Sequence, residues 1–539
     1  MLDLNLQSLN TTDAYEKIGI QTPSFDAVAL QAETRKSPVW VHVGPGNIFR
    51  GYIAALAQNL IEIGDLKSGI TAVSVFDHQI LEKIYEPYDN LALQVIMHAD
   101  GKLDKTVVAS IGEALRAERG FDSQWNRLCE IFTNPGLQMV SFTITEKGYH
   151  LRGMDGNFYS WLNEDFESGA EKTPSNSLAI VASLLLKRYY AGAFPIAMAS
   201  MDNFSHNGSK LFESISVFAK KWVENGSAPI GFYEYVSDPS RVSFPWSVID
   251  KITPRPDPSV ARELLASGFS SAEVYVTDKN TYIAPFVNAE AAQYLVIEDL
   301  FPNGRPPLEK AGVYFASRET VDLFERMKVC TCLNPLHTAM SIFGCLLGYA
   351  SISAEMKDAD IVSLISLIGY NEGLPVVANP GIVKPVDFLN EVMKTRLPNP
   401  YIPDTPQRIS TDTSQKLAIR FGETIKLHRL SGNAGRLRAI PLAIAGWCRY
   451  LLGVDDEGKP MAISPDPLLD ELQAHLEGVE LGSPDSLGQN LKPILSSERI
   501  FGQNLYEAGL GEKIEAYAKK MLSGSGAVRK TLHEEVGKQ

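Results

Sequence analysis

The chain has 539 residues, 45% hydrophobic and 21% charged, enough for at least two domains with cores of their own, which excludes general disorder. A formal net charge of −14 argues against a nucleic-acid-binding surface, which needs clustered Lys and Arg, and means that an anionic ligand would require positive charge gathered locally. Five cysteines form no disulfide framework in so long a chain, and with no basic-then-apolar leader and no apolar run of membrane-spanning length the expectation is a cytoplasmic protein without a membrane partner.

Residues 1–38 are polar and irregular and read as an extension leading into the first strand. From there apolar, β-rich runs (VWVHV, ITAVSVF, LALQVIM, QMVSFTIT, FPIAMAS) alternate with helix-length segments, the pattern of a parallel sheet covered on both faces. Residues 39–318 therefore read as a Rossmann-like, doubly wound α/β domain. After the Pro- and Gly-rich FPNGRPP the strand signals fade. Runs such as HTAMSIFGCLLGYASISAEM and AIPLAIAGWCRYLL make 319–539 a mostly α-helical domain.

The first strand runs into GPGNIFR, with Gly44 and Gly46 where a helix begins, followed by Asn47, Ile48, Phe49 and Arg50. Such a turn can cradle a pyrophosphate, because glycine lets the anion approach unpaired N–H groups. A plain Gly-Pro turn explains it equally well, since the third glycine of the dinucleotide fingerprint is missing. The second strand leads to Asp77, placed either to bind a ribose 2′-hydroxyl, which would favour NAD over NADP, or to cap the next helix. Three further strands lead into polar clusters: Thr145, Glu146 and Lys147; Asp202, Asn203 and Asn207; Asp250 and Lys251. Each is also ordinary turn chemistry.

In order, GPGNIFR, TITEKGY, MDNFSHNG, VIDKITP, LNPLH and DTPQRISTDTSQK resemble the mannitol dehydrogenase family of polyol-specific long-chain dehydrogenases across residues 39–425. The resemblance implies an NAD-binding domain, a helical domain, and metal-independent hydride transfer in the cleft between them. It makes Lys328 the acid/base, Asn207 and Asn334 the donors to the alkoxide-like oxygen, and His337 the partner of a neighbouring hydroxyl. The first-turn residues with Asp77, Thr145, Glu146 and Lys147 would bind the cofactor. Asn203, Asp250, Arg408 and Lys416 would bind substrate, the last two as receivers of a carboxylate. Without a ligand, Arg408 and Lys416 would be a solvated helix face with Asp412 as partner.

The expected activity is interconversion of a sugar acid or polyol with its keto form, D-mannonate with D-fructuronate first, with D-mannitol and D-fructose or tagaturonate as alternatives. A non-catalytic NAD-binding sensor is the reading from another class, and a monomer or small homo-oligomer is expected. Two departures from the family pattern stand out. Ile48-Phe49-Arg50 replaces Phe-His-Arg, and KVCTCLN separates Lys328 from Asn334 by five residues rather than four. One extra helical residue turns a side chain by about 100°, so Lys328 can serve only if a bulge absorbs it. Cys330 and Cys332 make an incomplete zinc set with His337 and read as apolar spacers.

Overall fold

The computed structural model describes residues 2–153, 155–169 and 172–537, and the chain divides into two compact units, Met1–Asp322 and Leu323–Gln539. In the first unit six parallel strands form one sheet: β1 (Trp40–Val43), β2 (Ile70–Ser74), β3 (Ile111–Arg116), β4 (Met139–Phe142), β5 (Ile196–Ser200) and β6 (Val242–Ser243). Their spatial order is β3-β2-β1-β4-β5-β6, the doubly wound dinucleotide-binding order.

Successive side chains on a strand point to opposite faces, and both faces here are apolar. Val41, Val43, Val140 and Phe142 pack on one side with Leu178, Leu185, Ile215 and Trp222 from the helices Ser177–Tyr190 and Asn207–Glu224. Trp40, Met139, Ala197 and Ala199 pack on the other with Leu56, Leu60 and Ile84. That is why these strands read as continuous apolar runs rather than as alternating ones.

Two sequence expectations are corrected in this unit. The run LALQVIM does not join the main sheet: Ala92–Met97 pairs antiparallel with Leu103–Val108 and parallel with Phe286–Glu290 in a separate four-stranded sheet. Apolar content reports burial and not which sheet supplies the partner. The segment 1–38 is not irregular either. It forms the helices Thr12–Lys17 and Ala27–Lys36 and a short strand, Ile20–Gln21, parallel to Leu103–Val108, with Leu4, Tyr15 and Ile20 buried.

The second unit is helical, with Asn334–Leu346 and Ala439–Tyr450 buried at its centre. These two helices pack closely, since a Cβ on Gly446 would stand 3.1 Å from the Phe343 ring. Several helices carry wide π turns: Lys328–Cys332, Leu367–Gly373, Val392–Arg396 and Ala418–Gly422. The helical run Arg318–Leu346 is long and apolar enough by length and composition to cross a membrane, contrary to the sequence reading, but 78% of its apolar window is buried in the fold. Its apolarity is that of a core helix.

Candidate active site

In the first unit the strand order reverses between β1 and β4, and ligands of open α/β sheets bind beyond the carboxyl ends of such strands. The turn after β1 lies there. Gly44 has φ +104°, and a Cβ on it would stand 2.2 Å from the Thr143 carbonyl oxygen, so only glycine lets this turn press against the chain leaving β4. At Gly46 nothing lies within 4 Å of the Cβ position, which leaves the backbone open to an approaching group. A pyrophosphate fits such a cradle.

Of the other first-turn candidates, Asn47 and Ile48 are half-buried, while Phe49 and Arg50 are buried completely. Phe49 stacks on His42 at 4.2 Å between centroids. Arg50 donates to the Ala284 carbonyl (2.8 Å) and to Asn47 Oδ1 (2.9 Å), and burial lowers its pKa. These two side chains hold the turn from behind, a position that spacing in the sequence could not distinguish from the front.

Asp77 does not cap the helix Gln79–Ile84, whose N-cap is His78 with no side-chain bond. Its Oδ2 instead accepts a 2.6 Å hydrogen bond from Thr277, and the residue lines an open groove of roughly 500 Å³ with Phe76, Arg116, Arg119 and Lys279. The chain beyond β4 is strained. Thr145, β-branched, sits at φ +64°, a conformation costing about 1–3 kcal/mol that persists only when its surroundings impose it. They do: the Asp202 carboxylate accepts from the Ile144 and Thr145 amides at 3.0 and 2.8 Å and from the Tyr149 hydroxyl at 2.6 Å. Burial raises the Asp202 pKa, and these three bonds oppose it. Thr145, Glu146 and Lys147 are thereby held exposed at the switch point.

Asn207 is corrected. Sequence reasoning makes its amide a donor to substrate, yet it is 0% exposed and its bonds are already made. Its Nδ2 lies 2.9 to 3.0 Å from Asp202 O, Ser247 O and Ser247 Oγ, and its Oδ1 accepts from the Ser247 and Gly208 amides at 3.0 and 2.8 Å. An amide offers two N–H bonds, so none remains for a ligand. Asn203, four residues earlier in the same loop, is exposed. Asp250 is 5% exposed and helps raise the pKa of Tyr52, after burial, which is the larger cause. Lys251 donates to the Glu290 carbonyl and lies 5.5 Å over the Tyr52 ring.

In the second unit Lys328, Asn334 and His337 come together. Lys328, 4% exposed, opens the π turn Lys328–Cys332, and Asn334 begins the next helix. Between them lie this wide turn, which holds one residue more than an α turn, and Leu333, outside helical geometry at φ −130° and ψ −63°. The Asn334 side-chain amide has no hydrogen-bond partner among the described residues, in contrast to Asn207. Burial pushes the His337 pKa down to about 4, with Arg420, Arg396 and Arg408 lowering it further and Asp404 opposing them, so the ring is neutral near pH 7. Cys332 is buried with its thiol pushed up to about 12, inert as a nucleophile.

Arg408 pairs with Asp404 rather than with Asp412, the partner a solvated helix face would have used. Asp404 is four residues back on the turn leading into the helix Pro406–Ile409, whereas Asp412 is in a left-handed turn beyond it. The Lys416 ammonium donates to the Thr411 carbonyl, and burial first and then Arg420 and Arg408 lower its pKa against Asp412 and Asp466. Sequence reasoning missed Arg396 and Arg420. Their signal was faint, since each sits in an ordinary helical run and only tertiary packing brings it to His337.

Family models for the mannitol dehydrogenase Rossmann domain and the mannitol dehydrogenase C-terminal domain match residues 39–310 and 320–522. The chain is 51% identical to the D-mannonate oxidoreductase of Thermotoga maritima over 540 aligned residues, covering 99% of both chains. In fold it is similar to a D-sorbitol dehydrogenase (TM-score 0.74, 23% identity, 94% of this chain and 97% of that one) and to the mannitol 2-dehydrogenase of Pseudomonas fluorescens (TM-score 0.68, 24% identity, 100% of both). With a doubly wound first unit, a helical second unit and both domain models matched in order, the chain belongs to the mannitol dehydrogenase family of oxidoreductases.

Proposed function

We propose that this chain interconverts D-mannonate and D-fructuronate with NAD as cofactor. The observation that carries a sugar acid over an uncharged polyol is the set of cations acting on His337, Arg420 first and then Arg396 and Arg408, in a chain whose net charge is −14. The near-full-length relative named for D-mannonate supports the same substrate. Bound NAD supplies the hydride acceptor, and an acid at Asp77 favours it over NADP, whose 2′-phosphate it would repel.

The remaining chemistry belongs to side chains. Hydride leaves carbon only as the hydroxyl loses its proton, so Lys328 takes that proton during oxidation and returns it during reduction. Asn334, with its amide uncommitted, donates to the oxygen as it becomes alkoxide-like. Neutral His337 shares a hydrogen bond with an adjacent hydroxyl without adding charge. Asn203, exposed in the loop after β5, is the substrate-binding candidate of that loop.

The test is NADH absorbance with D-fructuronate, tagaturonate and D-fructose, and NAD reduction with D-mannonate and D-mannitol. The expected order places the D-mannonate/D-fructuronate pair first in kcat/KM. A higher kcat/KM with D-mannitol and D-fructose would reassign the substrate. Tight NADH binding without turnover of any of them would leave a sensor.

A further inference from the structure

Half-buried Arg420 contrasts with three arginines that the fold encloses. Arg188 gives hydrogen bonds to five backbone carbonyls, Arg449 to three, and Arg50 to a carbonyl and the Asn47 side chain. Arg420 is half-buried, and burial pulls its pKa down to about 10. Yet among the described residues its side chain makes one hydrogen bond, from Nη1 to Thr338 Oγ1 at 2.6 Å, and no carboxylate pairs with it. A guanidinium has five N–H bonds in a planar fork. The rest of that fork is not sealed away, since none of its unbonded nitrogens is among the buried, unpartnered atoms, so an anion can reach it.

Its position says which anion. The Thr338 hydroxyl in turn donates to the Asn334 carbonyl at 3.0 Å, so the guanidinium is held at the first turn of the helix that carries Asn334 and His337. The π turn Ala418–Gly422 holding Arg420 packs on the π turn of Lys328, and nearby the Thr424 hydroxyl reaches the Cys330 carbonyl at 3.1 Å. Arg420 is near enough to repel a proton from both His337 and Lys416. Arg408, by contrast, has its charge answered by Asp404, and its side chain is 61% exposed.

We infer that Arg420, oriented by Thr338, is the seat of the substrate carboxylate, and that it rather than Arg408 sets the preference for a sugar acid; this rests on the reading of a sugar acid as substrate. A planar carboxylate matches the free edge of the guanidinium with two parallel hydrogen bonds. Thr338 acts as a positioning residue, leaving one edge of the fork open by occupying Nη1.

Steady-state kinetics with D-fructuronate and NADH, together with thermal melting of the NADH-bound enzyme with and without D-mannonate, tests the assignment. Arg420→Gln should raise KM by roughly 30-fold or more, the loss expected for a charged hydrogen-bonded pair, with kcat falling far less. D-mannonate should lose its stabilising effect on melting, and the rise of KM with ionic strength should flatten. Arg420→Lys, which restores charge but not the fork, should recover only part of the loss. A KM in Arg420→Gln within about threefold of the parent, in protein that melts cooperatively, overturns the assignment and leaves the proposed function standing. A parent enzyme that neither turns over sugar acids nor melts higher with D-mannonate overturns both. Should Arg420→Gln fail to fold, Thr338→Val decides: it should raise KM for D-fructuronate severalfold, and an unchanged KM with unchanged salt dependence counts against the seat.

Discussion

At the scale of single residues, the two asparagines of the DNFSHNG loop show how a motif can be read correctly and its roles misassigned. Sequence places Asn203 and Asn207 four apart after a strand, and nothing in that spacing says which side chain faces a ligand. Packing decides it, because Asn207 is enclosed by Ser200, Asp202 and Ser247 and joins β5 to the strand Ser247–Asp250. Asn207→Ala should therefore act on stability, costing about 3 kcal/mol as several buried groups lose partners, visible as a lower denaturation midpoint. Asn203→Ala should leave that midpoint nearly unchanged and lower kcat/KM. If Asn207→Ala folds with parental stability and only loses turnover, Asn207 is a substrate ligand after all. Lys328→Ala is a sharper case: turnover should fall by orders of magnitude, with NADH affinity, read by fluorescence titration, nearly intact. Unchanged turnover would move the base elsewhere.

At the scale of elements, the spacing anomaly between Lys328 and Asn334 coincides with the π turn Lys328–Cys332. An insertion in a continuous α-helix would rotate everything before it by about 100°, but here the helix widens at the π turn and is interrupted at Leu333, at φ −130° and ψ −63°. Deleting Val329, half-exposed within that turn, should let it relax to α geometry and keep turnover within roughly tenfold of the parent. Deleting Ser341 from the buried, regular helix Asn334–Leu346 has no bulge to absorb it and should abolish turnover and cooperative melting. Equal loss in both would show that the π turn is not an insertion. The need for a bulge could be read from the sequence, but its kind could not, because a π turn is selected by what the widened backbone packs against.

At the scale of the whole molecule, buried titratable groups define the pH range of stability. Burial lowers His42 to about 3 and His337 to about 4 from an ordinary 6.5, so the unfolded chain takes these protons first and stability drops as pH falls from about 6.5 toward 4. On the alkaline side, burial raises Glu355 from 4.5 to about 9, and both its carboxyl oxygens lack hydrogen-bond partners inside the second unit. The folded state keeps that proton while the unfolded chain releases it, so stability drops as pH rises from about 4.5 to 9. Urea midpoints near pH 6 and near pH 8.5 should differ less in Glu355→Gln than in the parent, because a neutral isostere removes that slope. An identical difference in both proteins would mean that Glu355 is ionised in the folded state.

Local pattern is enough to specify the class of this protein: apolar strand runs separated by helices specify a sheet covered on both faces, and the ordered motifs from GPGNIFR to DTPQRISTDTSQK specify the family. These are properties of local pattern and order, which a linear string carries. Tertiary structure decided which polar side chain is consumed by the fold and which is left for chemistry. Asn207, Phe49 and Arg50 went to the fold, while Arg420, isolated in the sequence, came to His337. Burial and hydrogen-bond saturation are sums over neighbours distant in the chain, so no short motif contains them.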